Sequence, residues 1–453
     1  MAGRSGLWQA PAVVTAGSDG ERTGREALLA VWQAALAAGD PAPLVAASLR
    51  VDGGTLRAGP FALDLAALRR VIVLGCGKAG GAMAQAVEAV LGDRISAGFV
   101  VVKDGYTKPT RRIRLAEARH PVPDARGQAA AETLVALAES AGADDLVLFL
   151  VSGGGSALTP APAPPVTLEE KQSVTRLLLA AGATIGELNA VRKHLSRVKG
   201  GRLARAAAPA RLVTLALSDV IGDPLDVIAS GPTAPDPTMF RDALDVLERR
   251  GVRARVPGSV RARLDAGARG EIEETPKPGD PLFARVANVV IGNNTLVTDA
   301  ALAAAQRLGL RPALLTRALE GEAREVARDV VARIRSAPRG TCLIAGGETT
   351  VTVRGGGSGG RCQEFALAAA VELAGTDDVV VLAAGTDGTD GPTDAAGAVV
   401  DGTTVARAAA RGLDAAGALD ANDAGTLLAA TADLIITGPT NTNLLDLYVA
   451  LRT

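Results

Sequence analysis

The run VIVLGCGKAGG, residues 71–81, decides the fold. Residues 71–74 are apolar and mostly β-branched, which reads as a buried strand. Gly75, Gly77 and Gly80 then punctuate a turn, and a helix follows through Leu91. Strand, glycine turn, helix is the layout with which doubly wound α/β sheets hold dinucleotides or phosphates. The glycines match G-x-G-x-x-G, but no acidic residue plainly ends a second strand where a ribose would sit. Lys78 inside the turn is the distinguishing feature, because an ammonium there reaches a phosphate as a point charge. The plainer alternative is an ordinary turn with a solvated lysine.

Outward from this run the pattern recurs. Residues 99–103 are the next strand. Asp124 caps a helix after a loop in which His120 is either a ligand contact or bonded to backbone. Residues 146–152, LVLFLVS, form an unbroken apolar run typical of a central parallel strand. That run delivers Ser152, Gly153, Gly154 and Ser156, a second loop suited to an anion at a strand's C-terminal end. Thr167 to Glu170 has the form of a capping box. Residues 187–201 are basic and helical in pattern, so Arg192, Lys193, Arg197 and Lys199 face either an acidic ligand or solvent. Residues 212–217 run into Asp219, a magnesium candidate at a strand end, although aspartate also simply favours turns. A strand at 287–291 ends at Asn293 and Asn294, with a helix over 298–308, a strand over 311–316 and a helix over 323–335 beyond.

A second organising stretch is LIAGGETTVTVRGGGSGGRCQEF, residues 343–365. A strand over 341–345 breaks at Gly346 and Gly347 before Glu348, and TTVTV at 349–353 reads as another strand. The glycine run 355–360 is closed by Arg361, and a helix follows at once. Exposed backbone N–H groups, a helix N-terminus and a guanidinium together suit an anion, most simply phosphate. A flexible surface loop needs neither the arginine nor the tight placement. A strand over 379–383 then delivers GTDGTDGPTD, whose Asp387, Asp390 and Asp394 suit a hard cation completed by waters and phosphate oxygens; a turn-rich connector is the alternative. Residues 432–437 read as the last strand, ending in a polar loop before a helix.

The first twenty residues have no period and are expected to fray, and 21–39 reads as an amphipathic helix stopped at Gly39-Asp40-Pro41. A length of 453 residues implies two or three domains. The Arg-, Gly- and Pro-rich region 252–281 is the expected boundary, dividing the chain into residues 20–252 and 282–453. A net charge of −1 gives no call for nucleic acid or an anionic membrane as partner. Aromatics make up only 2%, so the core must come from Val, Leu, Ile and Ala. Three cysteines fit neither a disulfide framework nor a zinc spacing, and two histidines make a histidine-based metal site a poor expectation. No signal segment and no uncharged apolar run of spanning length is seen, so a cytoplasmic location is expected.

The ordered set GCGKAG at 75, HPVPD at 120, SGGGSAL at 152, LNAVRKHLSRVKGGRLA at 188, LSDVIGDPLDVIASGPT at 217, GNN at 292, GGETTVTV at 346, GGRCQE at 359, GTDGTDGPTDAAGA at 385 and TGPTNTN at 437 resembles the glycerate 2-kinase family, the class with a MOFRL-type C-terminal domain. The likeness covers nearly the whole chain after residue 20. It implies ATP-dependent phosphorylation of D-glycerate at its 2-hydroxyl, with Mg²⁺. It also implies a Rossmann-like parallel-sheet N-terminal domain, a smaller α/β MOFRL-type domain whose last helix packs back on the first, and a cleft between the two. A homodimer is compatible with it. Lys78 and Arg361 are the positions it marks as most important.

Phosphoryl transfer is mostly alignment plus placement of cations. Lys78, Arg361 and Asp219 are therefore the expected catalytic set, with Asp219 or Asp387 as base. Gly75, Gly77, Ser152, Gly153, Gly154, Ser156, Asn293, Asn294, Gly346, Gly347 and Glu348 are the expected nucleotide contacts, and Asp387 and Asp390 the expected Mg²⁺ ligands. The acceptor's carboxylate falls to Lys78, Arg192 or the Ser152 loop. One departure stands out: Cys362 occupies the place of the asparagine in the family's GGRNQE, which removes strong hydrogen-bonding capacity. Two rival readings remain: an NAD(P)-dependent hydroxypyruvate reductase, and a non-catalytic phospho-ligand-binding protein.

Overall fold

The computed structural model describes residues 19–453, with side chains from Thr23 onward. The expected fraying falls outside the described residues, except at Asp19 and Gly20, which open the helix Asp19–Ala38. The backbone forms two compact units. Among the described residues, one comprises 39–293 and 441–444; the other comprises 19–38 with 294–440 and 445–453.

In the 39–293 unit a small antiparallel sheet, β1 (Leu49–Asp52), β2 (Thr55–Ala58) and β3 (Phe61–Asp64), precedes a larger one. The larger sheet contains β4 (Arg70–Cys76), β5 (Ile95–Lys103), β6 (Arg114–Ala118), β7 (Asp145–Val151), β8 (Arg211–Leu217) and β9 (Val286–Gly292). Its order is β6-β5-β4-β7-β8-β9, with every neighbouring pair parallel. This is the doubly wound order, and it follows from apolar runs covered on both faces: all seven residues of β7 are buried. Buried Asp145 opens that strand, where Arg69 and Arg70 hold its carboxylate.

The helices Leu168–Ala180, Ile185–His194, Phe240–Arg249 and Gly258–Ala268 share a core of their own, including Val174, Leu178, Leu188 and Leu264. Thr167 with Glu170, and Thr184 with Glu187, close capping boxes that fix where the first two begin.

Two expectations fail in this unit. The region 252–281 is not a boundary: its helix is packed through Val260 and Leu264, and β9 beyond it is the sixth strand of the parallel sheet. The compact unit runs on to Asn293. Arginines and glycines there resemble a linker by composition, but the apolar residues between them decide the packing. Residues 187–201 are not one helix either. The helix ends at His194, and Lys193 and Lys199 are buried rather than solvated.

The other unit is built on β10 (Arg311–Leu319), β11 (Thr341–Gly347), β12 (Val379–Gly385), β13 (Gly397–Asp401), β14 (Leu434–Ile435) and β15 (Asp446–Arg452). The order is β10-β11-β15-β12-β13-β14, parallel only between β10 and β11. Residues 349–353 are not a strand; only an isolated bridge joins Thr350 to Glu322. The alternating TTVTV has strand propensity but finds no neighbouring ladder. Nor does the chain close on a helix that packs back on the first domain: its final element is β15, inserted between β11 and β12.

Phe365 and Tyr448 pack tilted at 4.7 Å in this unit's core. The helix Asp19–Ala38 joins it through Arg25, which pairs with Asp401 and Asp433 and donates to the Val399 carbonyl at 3.0 Å. Within Thr23–Ser48 an 18-residue window reaches a mean hydropathy of 1.3, but Gly39 and Asp40 split that stretch into two helices, and Leu28, Val31 and Trp32 lie in protein core.

Candidate active site

Parallel strands put all their C-terminal loops at one edge of the sheet. From β4 the chain winds outward one way through β5 and β6, and from β7 the other way through β8 and β9. The switch point is therefore between β4 and β7, where the loops carrying Lys78 and Ser152 lie side by side.

These two loops are laced together. Lys78 N donates to Gly153 O at 2.9 Å and Ala79 N to Ser152 Oγ at 3.0 Å, while Ser152 N donates to Cys76 O at 3.1 Å. Gly77 sits at φ 135°, and a Cβ there would lie 2.1 Å from Ser152 Oγ. Gly153 is equally confined, because a Cβ would meet Asn443 Nδ2 at 1.8 Å and Asp219 Oδ2 at 2.1 Å. At Gly154 the same construction reaches the His120 ring at 3.1 Å and Lys78 Cγ at 3.5 Å. Lys78, His120, Asp219 and Asn443 thus surround one glycine pair. Asn443 Nδ2 donates to Asp219 Oδ2 at 3.0 Å, which orients that carboxylate. Asn293, expected to contact nucleotide, donates to Asp223 at 2.6 Å.

Beyond the glycines, Ser156 Oγ receives Lys199 Nζ at 2.7 Å and Arg192 Nη2 at 2.8 Å, and lies 3.0 Å from Ser230 Oγ. Burial drives the Lys199 pKa far down, with Arg192 and Lys171 adding to it. The same cause brings Lys171 down to about 7, assisted by the charges of Arg192 and Arg263. Burial pushes the Cys76 thiol behind these loops up to about 11, so it is no nucleophile.

In the other unit the glycine run does precede a helix, Arg361–Leu373, with Gly360 as N-cap. A resident carboxylate occupies that helix end. Asp390 accepts from Cys362 N at 3.1 Å, Gln363 N at 2.8 Å and Gln363 Nε2 at 3.1 Å. Burial and the nearby Asp446 charge push the Asp390 pKa up to about 7 against those donors. Arg361 is paired too, bidentate to Asp446 at 2.5 and 2.9 Å and to Glu348 at 2.5 Å. Burial opposes its charge, yet the two carboxylates outweigh it and hold the guanidinium well above its ordinary range. Tyr448 OH donates to the same Asp446 at 3.1 Å.

The phosphate cradle expected at residues 355–361 is thus filled from within: Asp390 takes the helix N–H groups, and Asp446 and Glu348 take the arginine. Glu348 serves as an ion-pair partner. Gly346 and Gly347 are packing glycines, whose Cβ atoms would meet the Asn294 side chain at 2.1 Å and the Leu319 backbone at 2.3 Å. Gln363, reaching Asp390 and Thr393, supplies amide bonding beside the Cys362 thiol. Asp387 is buried and accepts from Thr389 N at 3.0 Å.

Sequence reasoning missed Asn443, Asp223 and Asp446 as partners of Asp219, Asn293 and Arg361. For Asn443 the polar TGPTNTN loop was the available signal. It also took no notice of Lys171 and left Lys199 as one charge among several. The absence of an acid after the second strand needs amendment as well, since Asp104 follows β5 directly. It is engaged by Arg126 at 2.8 and 2.9 Å, and Tyr106 O lies 2.5 Å from where a Gly81 Cβ would stand, so that segment packs on the start of the Gly80–Leu91 helix.

Two family profiles match the chain: a domain of unknown function, DUF4147, over residues 27–265, and the MOFRL family over residues 341–446. D-glycerate 2-kinase of Thermotoga maritima is 44% identical over 85% of this chain and 91% of its own length. An Agrobacterium vitis relative named for hydroxypyruvate reductase is 45% identical over 84% of this chain and 87% of its own. The crystal structure of glycerate kinase from Thermotoga maritima superposes with a TM-score of 0.81 at 40% identity, covering 95% of this chain and all of that one (100%). With both profiles in order along one chain, and relatives this similar over most of their length, the chain belongs to the glycerate 2-kinase family built from a DUF4147 domain followed by a MOFRL domain.

Proposed function

We propose that this chain transfers the γ-phosphoryl group of ATP to the 2-hydroxyl of D-glycerate, giving 2-phosphoglycerate. The observation that carries the reading is the 44% identity to a D-glycerate 2-kinase over 85% of the chain. The switch-point loops support it chemically. Phosphoryl transfer needs fixed positive charge and alignment more than covalent help. Lys78 stands beside the glycine pair 153–154, its Cγ 3.5 Å from where a Gly154 Cβ would be, on a turn locked by hydrogen bonds to the neighbouring loop. A turn held this way needs little reorganisation when charge develops on a transferred phosphoryl group. Asp219, oriented by Asn443, is the base we assign to the acceptor hydroxyl.

Mg²⁺ accompanies the nucleotide in this proposal and neutralises charge on its phosphate oxygens. Among the described residues no group of three or more acidic, cysteine or histidine side chains forms a protein cage. That fits an ion held through one or two carboxylates plus phosphates. Asp387 suits such a role. Asp390 does not, because three N–H groups already occupy its carboxylate.

The reductase alternative is not favoured. Asp104 is tied to Arg126, and the segment after β5 packs against the helix start that a dinucleotide pyrophosphate would approach. A coupled assay for ADP tests the proposal. D-glycerate-dependent ADP release is expected, and Lys78→Ala lowers kcat/KM by about 10²-fold or more with circular dichroism unchanged. Oxidation of NADH by hydroxypyruvate, without ADP release from glycerate and ATP, would replace this reading with the reductase.

A further inference from the structure

The helix Leu168–Ala180 turns residues 168, 171, 172, 175, 176 and 179 onto a cavity of about 290 Å³. That spacing is one helical face; the opposite face, through Val174 and Leu178, is packed in protein core. Ser156 lines the cavity from the loop after β7, and Pro121, Val122 and Pro123 wall it from the loop that also carries His120. The exposed Arg176 and the more deeply set Arg192 and Lys199 complete it, and no aspartate or glutamate lines it.

Lys171 is 6% exposed and Lys199 1%. Lys171 Nζ has no hydrogen-bond partner among the described residues. Lys199 and Arg192 both donate to Ser156 Oγ, and no ion pair to a carboxylate is formed by any of the three among the described residues. Burying an unpaired charge is unfavourable, and buried lysines are otherwise found paired. Three basic side chains gathered without an acid, two of them on the Ser156 hydroxyl and the third without a partner, have a simple explanation if an anion from outside completes them and returns protons to the lysines. The rest of the lining is largely apolar, through prolines and leucines, and suits the carbon body of an organic anion.

We propose that this cavity is an oxyanion subsite in which Lys171, Arg192 and Lys199 take a carboxylate or phosphate group of a reactant while the proline and leucine wall takes its carbon frame. The proposed function enters only in naming the two sources: the carboxylate of D-glycerate, or a phosphate of the nucleotide. The cluster favours an anion whichever reaction the chain performs.

The test is Lys171→Met, which keeps length and helix propensity and removes the charge. Titration calorimetry on the full chain compares wild type and variant with D-glycerate alone, with ATP alone and with inorganic phosphate alone. At least tenfold weaker binding of D-glycerate with ATP unaffected supports the subsite with a carboxylate in it. The same loss for ATP or inorganic phosphate supports it with a phosphate. Unchanged affinity for all three in a folded variant overturns it.

A second variant guards against misfolding. Leu179→Trp sits at the cavity lip, where the native residue is 58% exposed. A saturable fluorescence response to any of the three probes, absent from wild type, is expected, and no response to any of them overturns the proposal. The two readings fail separately. Phosphate binding that depends on Lys171, without glycerate turnover, keeps the subsite and removes the kinase. Wild-type kinetics in Lys171→Met, with turnover intact, does the reverse.

Discussion

At Gly77 the backbone holds φ 135°, and the room a side chain would need is already occupied by Ser152. Gly77→Ala must open the contact between the β4 and β7 loops, so a loss of about 2–4 kcal/mol is expected in chemical denaturation. Turnover should fall with it, because Lys78 rides on the same turn. Lys171 makes the opposite prediction. Its folded pKa is about 7 against an ordinary 10.5. Between those values the unfolded chain binds more protons, so this group makes stability rise as pH increases from about 7 to about 10.5. Lys171→Met should flatten that segment of the stability profile and add about 1–4 kcal/mol near pH 7. Denaturant midpoints measured across the range check both.

At this scale the sequence was a partial guide. Lys78 and the glycines around it could be read because strand, turn and helix are contiguous. Arg361 was read as an open cation, since its partner Asp446 stands 85 positions further along the chain. Asp390 was read as a metal ligand for the same reason: nothing local shows that residues 362 and 363 will donate to it.

The helix Leu168–Ala180 is where element and site meet. Its first turn is fixed by Thr167 and Glu170, each accepting from the other's backbone N–H. Its middle turns present Lys171 and Thr175 to the cavity. Thr167→Ala should cost about 0.5–2 kcal/mol. Faster amide exchange over the first turn of this helix, with the sheet strands unaffected, is the expected signature. The capping box was legible because it is written in four consecutive residues. The strands β4, β5, β7 and β8 were legible because apolar runs of that length and β-branched content leave few alternatives. By contrast β13 escaped notice, and the residues of β15 were expected to form a helix. DLYVALR, the sequence of β15, follows a polar loop at the chain's end, and only its insertion between β11 and β12 makes it a strand. TTVTV erred the other way, with strand-like residues and a single bridge to pair them.

For the whole molecule, the α/β class and a doubly wound parallel sheet followed from alternating strands and helices. The division of the chain did not. The first unit reaches Asn293 because β9 completes its sheet, and the helix Asp19–Ala38 belongs with the later unit because buried Arg25 finds Asp401 and Asp433 there. Both facts rest on contacts more than fifty residues apart in sequence, which composition along the chain does not record. The functional reading survives these corrections because its main geometric support lies in the switch-point loops. Phosphorus NMR of wild type and Lys78→Ala incubated with ATP, Mg²⁺ and D-glycerate tests it most directly. The account predicts the resonance of the 2-phosphate ester from wild type and its loss in the variant; a 3-phosphate ester, no glycerate-dependent ester at all, or undiminished product from Lys78→Ala would contradict it.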